Sequence, residues 1–419
     1  MVERSILDNG IRIVSEHLQE IHSVSLGVWV RNGSRHEVAS LNGISHFIEH
    51  MLFKGTQRRS PHCIAREIDS VGGVLNGFTS REMSCFYVKV LSEKFPQAID
   101  LLGDLLCHSR FDLDELEKER RVILQEIAMI EDNPEEHIHD IFAHAFWDQH
   151  PLGQPVIGTR ESISEISRDR LLKFLHERYF GNNIIIAAAG DIKHEELVRQ
   201  VDQTFCDLPK DGQIDEQQQP LIHRKVGIVS RPLEQTHICL GVEGVSQTAP
   251  ERFASSLLNT ILGGNMSSRL FQRVREELGL AYSVYSYHNT HSDTGAMVLY
   301  AGTSAENAPL AVRTMLHELN VLRQERVSED ELRAAKDCLK GSLLLSLESS
   351  DNRMTRIAKN ELYLGKDVLL SETQAMIEAV SSEQIQSLAE KIFTNETLNL
   401  QIVGPVKPDD FPEVELSLD

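Results

Sequence analysis

Long apolar segments and paired cysteines are both missing from this chain of 419 residues. The uninterrupted apolar run at residues 184–189, which no other run exceeds in length, is far too short to cross a bilayer, since that needs about 20 apolar residues. The six cysteines are scattered and never form a C-x-x-C pair, so neither a disulfide framework nor a cysteine zinc site is indicated. We therefore expect reduced thiols and no membrane partner.

Positive charge is also scarce. The 42 basic residues face 63 acidic ones, and the resulting net charge of −21 disfavours nucleic acid as a partner. It suits a cationic partner such as a basic peptide, although the need for solubility explains the same charge equally well. Residues 1–5 form neither an apolar signal segment nor an arginine-rich leader, so we expect a cytoplasmic location.

The chain contains two halves that resemble each other. Asp-Glu-Leu occurs at 114–116 and again at 330–332, each time before a long predicted helix. The apolar strand predicted at 183–189 is matched by one predicted at 399–403. Similarity at a period near half the chain indicates an internal duplication.

The length and the hydrophobic content of 41% are those of a protein with two domains of about 200 residues each. The segment between the halves is polar and contains a run of glutamines, as is typical of a linker. The predicted boundaries are 1–208 for the first domain, 209–224 for the linker and 225–419 for the second domain.

Residues 43–53, Gly-Ile-Ser-His-Phe-Ile-Glu-His-Met-Leu-Phe, have the apolar spacing of a helix. One predicted face is apolar and consists of Ile44, Phe47, Ile48, Met51 and Leu52. The other face carries His46, Glu49 and His50. Histidines at positions i and i+4 can bind one Zn²⁺, and the glutamate between them can take a proton from a water polarised there.

A catalytic zinc site needs a third protein ligand and an open position for water. Glu119 and Glu126 are seven residues apart in a long predicted helix, so both lie on one of its faces. A solvated face is the default explanation for either glutamate in such a charged helix. A purely structural zinc site would instead need four protein ligands and no base.

The order H-x-x-E-H, followed by Glu126 76 residues after His50, resembles the pitrilysin family of zinc peptidases, the inverzincins. Within that family the chain is most similar to the β-subunit of processing peptidases and its bacterial homodimeric relatives. The similar stretches extend through nearly the whole chain: 43–56, 72–80, 151–159 and 275–284.

The resemblance implies one Zn²⁺ per chain, held by His46, His50 and Glu126. It implies Glu49 as the general base and Glu119 as an outer carboxylate that orients the site. It also implies an α+β fold of two homologous halves, each a mainly antiparallel sheet with packed helices. Each half would form part of a clamshell chamber, the first half catalytic and the second not.

The same resemblance implies four substrate-binding residues. Asn76 lies beside an edge strand that would hold an extended peptide, and Phe53 would form the apolar wall after the cut. Glu136 and Asp140, at i and i+4, match acids that favour basic residues near the cleavage point. An ordinary solvated acidic helix explains Glu136 and Asp140 equally well.

In the second half, Arg275 and Tyr282 match a family pair that reaches toward the bound peptide and can stabilise the carbonyl oxygen as it gains charge. The alternative is an ordinary helix end, with Gly279 as its cap and Arg275 at the negative end of the helix dipole, followed by Tyr282 in a core strand. Opposite the histidine helix the second half has Ser256, Asn259 and Thr260, which cannot hold the metal.

The expected function is zinc-dependent endoproteolysis of extended oligopeptides or unfolded segments. Relatives have either four such units or two chains of two, so we expect a homodimer whose site is completed in trans by Arg275 and Tyr282. The alternative is a non-catalytic scaffold or partner subunit of a pitrilysin-like complex. The intact ligand and base positions argue against that alternative.

Overall fold

The computed structural model describes residues 2–213, 218–411 and 417–418. The chain forms two compact units, each made of segments from both halves of the sequence. The first unit consists of Met1–Met129, Gln154–Gln217 and Ser346–Asp367, and the second of Ile130–Gly153, Gln218–Leu345 and Val368–Asp419. Of the predicted linker 209–224, residues 214–217 lie outside the described residues.

The described residues form eleven β-strands: β1 (Val2–Ile6), β2 (Arg12–His17), β3 (Ser23–Val30), β4 (Val74–Thr79), β5 (Ser84–Leu91), β6 (Ile184–Gly190), β7 (Lys225–Ser230), β8 (Thr236–Glu243), β9 (Ala281–Thr290), β10 (Gly295–Thr303) and β11 (Asn399–Gly404). The first sheet has the order β1-β2-β6-β3-β5-β4, and the second has the order β7-β11-β8-β10-β9.

Both sheets repeat one topology. In each, the last strand pairs in parallel with the first strand of the repeat, β6 with β2 and β11 with β7. The other neighbours pair antiparallel. The first sheet adds β1 at its edge, a strand that the sequence did not predict. The prediction of two related α+β halves with mainly antiparallel sheets is confirmed.

The same residues form fourteen α-helices: α1 (Ile44–Leu52), α2 (Pro61–Ser70), α3 (Phe95–His108), α4 (Leu113–Asp132), α5 (Pro134–Trp147), α6 (Arg160–Glu165), α7 (Arg168–Arg178), α8 (His194–Phe205), α9 (Arg252–Leu262), α10 (Ala308–Gln324), α11 (Glu329–Ser346), α12 (Ser350–Leu364), α13 (Leu370–Glu378) and α14 (Ser382–Ile392).

Residues 160–178 form two helices, α6 and α7, rather than one continuous helix. Thr159 caps the first of these helices and Ser167 caps the second, each accepting a hydrogen bond from a backbone N–H three residues later. A hydroxyl in this position favours a new helix start over continuation. The break between α6 and α7 follows from the cap at Ser167.

Each sheet is covered on both faces. Along β6, Ile184 and Ile186 belong to the larger core of the first unit, whereas Ile185 and Ala187 belong to a smaller cluster on the opposite face. That smaller cluster is completed by α12, which comes from the second half of the sequence. In the second unit the corresponding cluster is completed by α5, which comes from the first half.

This exchange of helices is the main difference from the contiguous division predicted from the sequence, 1–208, 209–224 and 225–419. Helix α12 buries Met354, Ile357 and Ala358 against Trp29 of β3 and its neighbours. Its polar residues also bond to the sheet, as in the ion pair of Glu361 with Arg4 (2.7 Å). Exposure of this apolar sheet face to water would destabilise the first unit, and α12 prevents it by covering the face.

A charge cluster fixes the loop that follows α1. The side chain of Asp104, buried on α3, accepts hydrogen bonds from Thr56 Oγ1 (2.7 Å), Arg59 Nη1 (2.7 Å) and Arg58 Nε (3.1 Å). Burial raises the pKa of Asp104, but these hydrogen bonds outweigh it and leave the pKa below its ordinary value. The loop is therefore anchored to the core helix by a carboxylate that stays ionised.

Candidate metal centre

Helix α1 begins abruptly because Gly43 adopts a left-handed conformation, with φ of 87°. A side chain there would meet the backbone of Ile157 and Gly158 at 2.7 Å, so glycine is required on both counts. The five apolar residues predicted for one face of α1 are all buried. His46, Glu49 and His50 are half-buried on the other face, as predicted.

The N-terminus of α1 is held by a carboxylate from outside the helix. Glu37 is 5% exposed and accepts hydrogen bonds from Gly43 N (2.7 Å), Ser45 N (2.9 Å) and Asn42 Nδ2 (3.2 Å). Burial raises the pKa of this carboxyl group and the donated hydrogen bonds oppose the rise. Glu37 thus satisfies backbone N–H groups that a helix start leaves unbonded.

Three donor atoms converge where α1 meets α4. Glu126 Oε2 lies 3.6 Å from His50 Nε2 and 3.9 Å from His46 Nε2. The ligand atoms of the three residues all lie within 4.8 Å of one another, and within the described part of the chain this is the one such cluster of His, Cys, Asp or Glu. Three donors without a fourth are typical of catalytic zinc sites.

The two imidazoles differ in their surroundings. Burial, with a smaller contribution from the neighbouring His50, lowers the pKa of His46 to about 3, so its ring is neutral as a metal ligand must be. Burial also lowers the pKa of His50, but a hydrogen bond to Glu119 and the nearby charge of Glu126 outweigh it and raise the pKa overall. The pKa of His50 is therefore raised mainly by Glu119 and Glu126, the two neighbouring carboxylates of α4.

Glu119 contacts His50 at the ring nitrogen opposite the one nearest to Glu126. It is 5% exposed, and its Oε2 accepts a hydrogen bond from His50 Nδ1 (3.1 Å) while its Oε1 pairs with Lys54 Nζ (2.8 Å). These two bonds outweigh the effect of burial and lower the pKa of Glu119. Because Nδ1 is committed to Glu119, Nε2 of His50 remains available to a metal.

Glu49 points to the edge strand β4. Its Oε2 accepts a hydrogen bond of 2.6 Å from Thr79 Oγ1. Burial raises the pKa of Glu49, and the Thr79 hydrogen bond opposes that rise. On the same strand, a Cβ at Gly77 would lie 3.2 Å from Glu49 Cγ and 3.3 Å from Phe53 Cε2, so both side chains lie close to this strand.

Asn76 lies in the edge strand β4, and Phe53 lies beside that strand. Asn76 is an exposed residue of β4, the outer strand of the first sheet, and its Oδ1 accepts a hydrogen bond from Gly77 N (2.8 Å). The half-buried ring of Phe53 packs against Phe86, with ring centroids 6.2 Å apart. Both residues belong to the same unit as the donor cluster.

The other four predicted site residues fall in two places. Arg275 and Tyr282 belong to the second unit, where the Arg275 guanidinium stacks on the Tyr282 ring at 4.6 Å. Tyr282 is 80% exposed, which does not fit the alternative of a core strand residue. Glu136 and Asp140 lie on α5 of the second unit, and the first of them is exposed.

Sequence reasoning missed Glu37, Lys54 and Thr79. Lys54 carried a local signal, because it lies four residues after His50, just beyond the end of α1. Thr79 carried a weaker one, since the alternation of a strand places residues 77 and 79 on the same face. Glu37 carried none, because it reaches α1 through an irregular connection.

Two family profiles match the chain, Insulinase (Peptidase family M16) at residues 12–160 and Peptidase M16 inactive domain at residues 165–339. A protein of Bacillus subtilis described as an uncharacterized zinc protease is 40% identical over 405 residues, covering 97% of this chain and 98% of that protein. The chain belongs to the pitrilysin (M16) family of zinc metallopeptidases. A Streptomyces coelicolor protein with the same description is 38% identical, covering 97% of this chain and 90% of that protein.

Solved structures show the M16 fold over the same length. A peptidase M16 inactive domain from Pseudomonas fluorescens superposes with a TM-score of 0.91 at 22% identity, covering 97% of this chain and 100% of that one. A protease from Helicobacter pylori gives 0.89 at 21% identity, covering 97% and 99%. None of the helices in the described part of this M16 chain is long and apolar enough to span a membrane.

Proposed function

We propose that this M16 chain is a zinc-dependent endopeptidase that cleaves extended oligopeptides or unfolded segments. The observation that carries the proposal is the convergence of His46, His50 and Glu126, with the carboxylate of Glu49 on the same helix face. Zinc proteases among the relatives support the choice of metal. The donor set, two nitrogens and one carboxylate oxygen, also suits zinc.

His46, His50 and Glu126 would hold one Zn²⁺ per chain, and Glu119 would keep His50 in the required orientation. When bound, zinc supplies a Lewis acid that polarises water and the scissile carbonyl. Glu49 takes the proton of the attacking water and returns it to the leaving amine. One carboxylate serves both transfers, because it releases in the second step the proton that it accepted in the first.

The substrate would lie along β4 as an added strand, because an outer strand has unpaired backbone groups that an extended peptide can bond. Asn76 and Phe53 would contact it there. We propose that Arg275 and Tyr282 donate hydrogen bonds to the carbonyl oxygen as it gains charge. Glu136 and Asp140, together with the net charge of −21, support a preference for basic residues near the cut.

The test measures the metal content of purified protein and its cleavage of a peptide library, with and without a chelator. Glu49→Gln should retain zinc and lose nearly all turnover, whereas His50→Ala and Glu126→Ala should lose the metal first. Glu93→Gln, at a residue whose side chain is 73% exposed, is the matched control. Zinc-loaded parent protein that cleaves nothing, or an active Glu49→Gln variant, would contradict the proposal.

We also propose that the enzyme is a homodimer in which Arg275 and Tyr282 of one copy act on the site of the other. Mixing inactive Glu49→Gln and Tyr282→Phe proteins should restore activity if residues are shared between the copies, and the mixture should stay inactive otherwise. All six cysteines are free thiols, which supports a reducing compartment such as the bacterial cytoplasm.

A further inference from the structure

The hydrogen bond between Thr79 and Glu49 has a defined direction. A carboxylate only accepts, so the Thr79 hydroxyl is the donor to Glu49 Oε2 at 2.6 Å. The distance is that of a charge-assisted bond between a hydroxyl and a carboxylate. One oxygen of the proposed base is therefore occupied by a fixed donor.

The neighbouring groups do not compete for that proton. Ser84 Oγ lies 3.4 Å from Thr79 Oγ1 and donates its own proton to the backbone carbonyl of Asn32 at 3.0 Å. Asn32 Nδ2 in turn donates to Ser45 Oγ of α1 at 3.1 Å. This network links Thr79 to α1, the helix that carries Glu49, because Ser45 also belongs to α1.

The stem of Glu49 is held as well as its carboxylate. A Cβ at Gly77 would approach Glu49 Cγ to 3.2 Å, closer than an ordinary contact, so β4 lies directly against the side chain. Gly77 and Thr79 are two residues apart and face the same side of the strand. One strand thus fixes both the position and the orientation of the carboxylate.

The second unit repeats the contact without the charge. Asn259 of α9 is opposite Glu49 in the sequence duplication, and its Oδ1 accepts a hydrogen bond of 2.7 Å from Ser286 Oγ of β9. A hydroxyl on the third strand of the repeat therefore bonds the helix in both units. Only in the first unit is the acceptor a carboxylate that can transfer protons.

We propose that Thr79 is a positioning residue for the general base. Its hydroxyl holds Oε2 of Glu49, which leaves Oε1 free to take the proton from water. This inference rests on the proposed peptidase function and adds a residue that the sequence did not reveal. Because Thr79 ends the strand that would receive the peptide, substrate docking and base orientation depend on one element.

The test compares Thr79→Val, which keeps the side-chain shape and removes the donor, with Thr79→Ser, which keeps the donor. Loss of an outer partner typically lowers activity by about 10- to 100-fold, and we expect that fall in kcat for Thr79→Val, with KM and zinc content unchanged. Thr79→Ser should stay within about threefold of the parent. Thr314→Val, whose hydroxyl bonds Leu310 O of its own helix at 2.8 Å, is the matched control.

Crystals of the zinc-free and zinc-loaded variants give a readout independent of turnover. The Glu49 carboxylate should leave its position in Thr79→Val and keep it in Thr79→Ser. The proposal is overturned if Thr79→Val keeps its kcat, if Thr79→Ser is equally slow, or if Thr79→Val loses zinc. A parent protein without chelator-sensitive cleavage would refute the peptidase proposal alone, since the carboxylate position still decides the role of Thr79.

Discussion

The start of the histidine helix depends on one buried carboxylate, and Glu37→Gln tests that dependence with almost no change in shape. The two oxygens of Glu37 serve different donors, Oε2 bonding Gly43 N and Oε1 bonding Ser45 N. A glutamine has one acceptor oxygen, so its NH₂ group must face one of these N–H groups. The substitution therefore leaves a backbone donor unsatisfied at the first turn of α1.

The expected cost follows from these contacts. Loss of one hydrogen bond to a charged group costs about 1.5–3 kcal/mol. Loss of the negative charge at the helix N-terminus adds about 0.3–1 kcal/mol. A neutral amide is cheaper to bury than a carboxylate, which offsets part of this sum. We expect Glu37→Gln to lower the free energy of unfolding of the first unit by about 2–3 kcal/mol.

The two tryptophans allow that unit to be followed by itself. Trp29 of β3 lies in the first unit and Trp147 at the end of α5 lies in the second. In a Trp147→Phe background, denaturant unfolding followed by tryptophan fluorescence reports the surroundings of Trp29. The exposed Glu93→Gln is the matched control and should change the free energy of unfolding by less than about 0.5 kcal/mol.

A second measurement connects the cap to the metal. If the first turn of α1 frays, His46 is held less firmly, so zinc affinity should fall in parallel with stability. Competition with a chelator measures this. If Glu37→Gln and Glu93→Gln unfold at the same denaturant concentration and bind zinc equally, the capping argument is refuted.

Three further predictions test the surroundings of the site. Glu119→Gln should weaken zinc binding by about 10- to 100-fold, measured by chelator competition. Asp104→Asn should cost about 3 kcal/mol at pH 7, because it breaks the buried pair with Arg59. The folded-state pKa of Asp104 is lowered, so this stability difference should be present above pH 4 and shrink as acid titration protonates the carboxylate. Fragment 1–213 expressed alone should aggregate, whereas co-expression with 218–419 should give a soluble complex that binds zinc.

The residues that share one helix could be predicted from the sequence. The apolar spacing along α1 placed His46, Glu49 and His50 on a common face, and the spacing of two turns did the same for Glu119 and Glu126. Both inferences depend only on helix geometry, which local sequence encodes. The prediction that α1 and α4 meet came from the family resemblance, since no local pattern indicates which helices pack together.

The exchange of α5 and α12 between the units could not be predicted from local sequence spacing. Helix α12 presents Met354, Ile357 and Ala358 on one face, which predicts an amphipathic helix but not its partner. Its partner is a sheet face built from the other half of the sequence. Because the two sheets share one strand order, the apolar pattern of α12 alone would allow it to pack on the apolar face of either sheet.

The polar contacts between α12 and the first sheet specify one partner and one register, whereas the apolar contacts do not. Asp351 of α12 accepts a hydrogen bond from Ser25 Oγ (2.6 Å) and pairs with Lys89 Nζ (2.9 Å), while Arg353 pairs with Glu16 (2.8 Å). Each of these groups would lose its partner if the helix covered a different sheet or docked in another register. The apolar residues therefore supply most of the stabilisation, and the charged ones decide which sheet α12 covers.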